Sequence, residues 1–137
     1  MIAGNETTKI IAGMKQSSPC YEKTSFKSIL SAIDWAKNAL NLRDWDFYVE
    51  YGGSVPEWVD SAESVNVGVS ISNASHLYAR IWIDWIMCKE VNVHPLLVVM
   101  HEMLHVLFNS HSLDKHDEGI INTLSGFLFR DFIAGVR

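Results

Sequence analysis

Between Ser25 and Leu42 the apolar positions Ile29, Leu30, Ile33, Ala36 and Leu40, with Trp35 beside them, recur at helical spacing. Lys27, Asp34, Lys37 and Asn41 fall opposite, so the stretch predicts an amphipathic helix that Asn41 and Asp44 are suited to end. The period then changes to two. Trp45, Phe47, Val49 and Tyr51 alternate with Asp46, Tyr48 and Glu50, and Gly52-Gly53 stops the run. Val65, Val67, Val69 and Ile71 alternate with Asn66, Gly68, Ser70 and Ser72. Ala79, Ile81, Ile83 and Trp85 alternate with Tyr78, Arg80, Trp82 and Asp84. Each set predicts a half-buried strand, apolar side inward and mixed side outward. Only a short polar link, Asn73 to His76, separates the last two, which are expected to pair antiparallel as a hairpin.

A second helix should start at His94-Pro95, since proline suits a first helical turn, and run through Leu96, Leu97, Val98, Val99 and Met100 to about Phe108. Apolar nearly all round, it should be the central buried helix. Asn109-Ser110-His111-Ser112 breaks it, and a third helix follows from near Asp114 or Asp117, either a reasonable N-cap, to about Ile133. Residues 1–24 show weak periodicity and read as an N-terminal arm or tail. Residues 25–137 read as one α+β domain: an N-terminal helix, a three-stranded, mainly antiparallel sheet, and two further helices.

The length of 137 residues suits one compact core. A hydrophobic fraction of 48% excludes a disordered or fibrous chain. The net charge of −5, with Lys and Arg scattered, gives no general basic field for nucleic acid or anionic lipid. No run approaches the roughly 18 to 20 apolar residues of a membrane span. The N-terminus lacks the apolar core of a secretion signal. Cys20 and Cys88 are far apart and read as two free thiols of a reducing compartment. The expectation is a soluble, cytoplasmic protein without nucleic-acid or membrane partners; the pattern carries no signature of a particular oligomeric state.

The chemistry is concentrated in His101-Glu102-Met103-Leu104-His105. Histidines four apart on a helix stand one turn apart on one face, with Cβ atoms about 5 to 6 Å apart. Both imidazoles can then reach one zinc ion at about 2.0 to 2.1 Å. Glu102 lies about 100° round the helix, placed to face a water and act as general base. The competing explanation is coincidence, but two histidines and a glutamate on an apolar, buried helix are costly unless something satisfies them. A catalytic zinc site takes three protein ligands and one open position. For the third, Glu118 lies thirteen residues beyond His105, with Asn122 one turn further on as a candidate support for a ligand histidine. His111, six residues beyond His105, competes with it. The sharp turn that would return His111 to the metal wants glycine where the chain has Phe108, so Glu118 is the better placed. His116 and Asp117 are weaker candidates.

His101-Glu102-x-x-His105 followed by Glu118-x-x-x-Asn122 resembles the gluzincin branch of the zinc metallopeptidases. The order helix, three strands, motif helix, glutamate helix is similar to the minigluzincins and the small metallopeptidases encoded by phages. The resemblance covers about residues 25–134. It departs from the larger gluzincins in the shorter interval to Glu118 and in an asparagine at 122 where aspartate is commoner. It implies a zincin-like domain that hydrolyses peptide bonds, with zinc held by His101, His105 and Glu118 and Glu102 as base. It also implies that the last strand before the motif helix, Tyr78 to Trp85, borders the cleft and takes an extended peptide on its edge. His76, Tyr78, Arg80 and His116 are the candidates for stabilising an oxyanion.

Two other functions compete. A metal-dependent endoribonuclease would use His101, His105 and His111, although Glu102 and the acidic net charge fit it poorly. A non-catalytic, zinc-stabilised binding module would close the metal with four protein ligands. His94 is read as a cap, Asp84 as part of a strand's polar face, and the aromatic run Phe127, Leu128, Phe129, Phe132 as helix packing.

Overall fold

A computed structural model describes residues 24–53, 56–58, 67–111 and 118–135. The elements run α1 (Phe26–Ala39), β1 (Asp46–Gly52), β2 (Gly68–Asn73), β3 (Tyr78–Asp84), α2 (Trp85–Val91), α3 (Pro95–Ser110) and α4 (Glu118–Gly135), an α+β arrangement. The N-terminal arm, Cys20 and the N-cap candidates Asp114 and Asp117 lie outside the described residues. Among the described residues no single helix is long and apolar enough to cross a membrane.

Local chemistry accounts for most boundaries. The Ser25 hydroxyl accepts from the Ser28 N–H at 3.1 Å and starts α1. The ring Nδ1 of His94 accepts from the Leu96 N–H at 3.1 Å and starts α3, with Pro95 in the first turn, so His94 is the cap expected of it. Helix α2 has no counterpart in the sequence reading, which carried the strand pattern through Trp85. The Asp84 carboxylate accepts from the Met87 N–H at 3.0 Å, and Asn92 closes the helix in the left-handed conformation at φ 61°. An aspartate and an asparagine eight residues apart were the signal available for it.

The sheet order is β1-β3-β2. β2 and β3 form the expected antiparallel hairpin, with Asn73 opposite Tyr78. β1, however, runs parallel to β3, from Asp46 opposite Tyr78 to Gly52 opposite Asp84. The sheet is therefore mixed instead of mainly antiparallel. β3 is its central strand, with β2 on one edge. Alternation within a strand says which residues share a face but nothing about which neighbour the strand takes.

One face of the sheet, carrying Ala79, Ile81 and Ile83, joins Ile29, Ile33 and Ala36 of α1 and Val99, Met100, Met103 and Val106 of α3 in a continuous core. As its all-round apolarity predicts, α3 is the central helix, packed on α1, α4 and β2. On the opposite face Arg80 lies over the rings of Tyr48 and Trp58, 5.3 and 5.9 Å from their centroids.

The His94 cap is pH-sensitive. Burial lowers its pKa below the ordinary 6.5, and Nδ1 accepts the Leu96 N–H only when it carries no proton. The unfolded chain then binds the proton more readily than the folded one, so stability from this cap is present above pH 6.5 and is lost as pH falls. His94→Asn keeps an acceptor and removes the titration. Urea midpoints should therefore fall less steeply between pH 7.5 and 5 in the variant than in the wild type.

Candidate metal centre

His101 and His105 lie one turn apart on α3 and are half-buried, their rings 4.9 Å between centroids. Their Nε2 atoms are 3.2 Å apart. Glu118, in the first turn of α4, reaches both: Oε1 is 3.2 Å from His101 Nε2 and Oε2 is 3.1 Å from His105 Nε2. The helix dipole favours a carboxylate in that first turn. Among the described residues, these three form the one group of ligand-type side chains whose donor atoms all lie within 4.8 Å of one another.

Whichever tautomers are chosen, sharing out the protons leaves one of these close pairs poorly matched. If each neutral imidazole donates from Nε2 to Glu118, the two N–H groups face one another across 3.2 Å. If one accepts from the other instead, its lone pair faces the carboxylate. A single cation at the meeting point satisfies all three. In a tetrahedral zinc site with bonds of about 2.0 to 2.1 Å the ligand atoms stand about 3.3 Å apart, close to the separations here. The donor set and its spacing fit a zinc ion.

Glu102 lies outside that trio and lines the same cleft. It is 5% exposed. Burial pushes its carboxyl up to about 7, the nearby Glu118 carboxylate adds to the rise, and a hydrogen bond from the Ser70 hydroxyl opposes it. The cleft, about 590 Å³, is walled on one side by Gly68 to Ser72 of β2 and on the other by His101, Glu102, His105, Asn109 and Glu118.

The strand bordering the cleft is thus β2, not Tyr78 to Trp85 as the resemblance implied. β3 is central and has both edges paired. β2 also presents the face opposite to the one expected. A Cβ placed on Gly68 would come 2.7 Å from Val98 Cγ1 and 3.4 Å from Glu102 Oε2. The Ser72 hydroxyl accepts from Asn109 Nδ2 at 2.5 Å. Gly68, Ser70 and Ser72 therefore face α3, while Ile71, 47% exposed and opposite Arg80, looks away. Small and hydroxyl side chains let α3 approach and give its polar groups partners, which a row of valines would not. Glycine or serine at every second position was the sequence signal, misread as a solvent face.

The other candidates lie elsewhere. His111 caps the end of α3, its N–H bonded to the Phe108 carbonyl at 3.1 Å, and lines a separate cleft with Leu40, Leu42, Trp45 and Leu77. The trio of His101, His105 and His111 does not assemble. Asn122 is exposed and does not line the cleft. Arg80 and Tyr78 bond each other at 2.8 Å on the far side of the sheet, and His76 sits exposed in the hairpin turn. His116 and Asp117 lie outside the described residues. Cys88 is buried.

Gly68→Ala should destabilise the fold by about 1 to 3 kcal/mol, because the stiff Val98 side chain cannot yield to the new methyl. Val98→Ala in the same chain should recover part of the loss, although alone it opens a cavity. Urea denaturation of the two single variants and the double variant measures this coupling. No protein-family model, curated protein or solved structure matches this chain.

Proposed function

We propose that this protein is a zinc-dependent metallopeptidase of zincin-like type, with His101, His105 and Glu118 holding the metal and Glu102 acting as general base. The observation that carries the reading is the convergence of three ligand side chains, the two Nε2 atoms 3.2 Å apart and each 3.1 to 3.2 Å from one oxygen of Glu118, beside a buried carboxylate under a sheet edge. The resemblance of His101-Glu102-x-x-His105 and Glu118 to the gluzincins supports it independently of the geometry.

Zinc, when bound, supplies Lewis acidity that brings the pKa of water towards about 7. The chain's own residues do the rest. Glu102, with its pKa pushed up towards neutrality by burial, takes a proton from the attacking water and returns it to the leaving amine. The Ser70 hydroxyl holds that carboxylate in place. β2 holds the substrate. The Asp84 N–H bonds the Val67 carbonyl at 2.8 Å, so Val67, Val69 and Ile71 turn their backbone groups to β3. Gly68, Ser70 and Ser72 turn theirs outward along the cleft, where an extended peptide is held whatever its side chains.

Glu102→Gln should bind zinc stoichiometrically, by elemental analysis after dialysis, while peptide cleavage falls by at least about a hundredfold. Glu118→Ala and His101→Ala should lose the zinc itself. Unimpaired cleavage by Glu102→Gln would remove Glu102 as the base. Tight zinc binding by a wild type that hydrolyses no peptide would turn the reading to a zinc-stabilised binding module.

A further inference from the structure

β2 and α3 run in the same direction along the cleft, with Gly68 beside Val98 and Glu102 at one end and Ser72 beside Asn109 at the other. Asn109 stands one turn beyond His105 on the same helical face. Its Nδ2 donates to the Ser72 carbonyl at 3.4 Å and to the Ser72 hydroxyl at 2.5 Å. The Ser72 carbonyl is one of the outward groups a bound peptide would use, so the strand edge is already occupied there. Among the described residues of this edge, Gly68 and Ser70 keep both outward backbone groups for a substrate, and both lie at Glu102.

We infer that the Asn109–Ser72 link closes the cleft on the amino-terminal side of the scissile bond, making the enzyme one that trims residues from free peptide amino termini. The inference rests on the metallopeptidase reading and names its substrate class. A peptide pairs with β2 antiparallel, the more stable arrangement per residue, and so runs from Ser72 towards Gly68. Its amino-terminal part then points at Asn109. From Ser70, beside the base, to Ser72 is about 7 Å of strand, room for one or two residues before the cut. Asn109 Nδ2 donates to Ser72, and the same amide carries Oδ1 as an acceptor at the closed end. A terminal ammonium brings donors for it, whereas an acetylated or extended terminus brings bulk and a carbonyl. Hydrolysis adds water across one amide, releasing the short amino-terminal fragment as a carboxylate and the remaining chain as an amine.

The test uses the full chain, zinc-loaded, as Glu102→Gln, with peptides labelled at the carboxyl end and binding read by fluorescence anisotropy. A free-amine peptide should bind at least about tenfold more tightly than its acetylated form or one extended by four amino-terminal residues. Carboxyl-terminal extension should not weaken it. Asn109→Ala, or Asn109→Ser should the first fold poorly, should abolish this discrimination. Equal binding of all peptides, restriction at the carboxyl end, or unchanged discrimination in the Asn109 variants each overturns the inference. Wild-type digests read by mass spectrometry separate it from the reading beneath it. Internal cuts in long acetylated peptides sink the trimming inference and leave the metallopeptidase standing, whereas no binding and no cleavage sink both.

Discussion

The constraint on which this structure turns is the burial of a polar cluster in an apolar helix. α3 buries Val98, Val99, Met100, Met103, Leu104 and Val106 almost completely, and those positions determine where it lies. Glu102 goes in with them. A carboxylate taken from water needs donors or a compensating charge, or it takes up a proton, and the rise of its pKa towards neutrality is the measure of that cost. The cleft's other features follow from meeting it. Ser70 donates to the carboxylate, Gly68 lets β2 come close, and the two histidines keep to the half-buried side where α4 can bring Glu118 against them.

The same constraint explains why the site lies at a sheet edge. A central strand has both rows of backbone groups paired and can offer only side chains. An edge strand keeps one row of N–H and carbonyl groups unspent, a liability for aggregation unless covered or used. Here α3 and α4 stand beside that row and make it a recess. Asn109 covers its end at Ser72. Among the described residues, the base, the ligand trio and the β2 edge all come from α3 or from elements that pack on it, so the core holds the arrangement.

Several elements were legible from period alone. The Ile29–Leu40 stripe gave α1, alternation gave three strands, the short Asn73–His76 link gave the hairpin, and His94-Pro95 gave the start of α3. The misses have a common origin. α2 is too short for a period to show, and its evidence lay in the caps Asp84 and Asn92. The parallel pairing of β1 with β3 depends on which strand lies in the middle, and the alternation of Phe47, Val49 and Tyr51 is the same beside either partner. The facing of β2 was inverted because Val69 and Ile71 look like the core side of a strand, although the site needed Gly68, Ser70 and Ser72 against α3.

What the sequence by itself determined about this protein was local: that His101 and His105 share one face of a buried helix with Glu102 a third of a turn away, because helical geometry sets those relations over four residues. What only the tertiary structure decided was everything that joins distant segments. That Glu118 and not His111 meets the two imidazoles, that β2 and not β3 walls the cleft, and that Asn109 reaches Ser72 are consequences of how α4 and the sheet pack on α3. Such contacts bring together residues 13 to 37 positions apart, beyond the range over which backbone periodicity carries information.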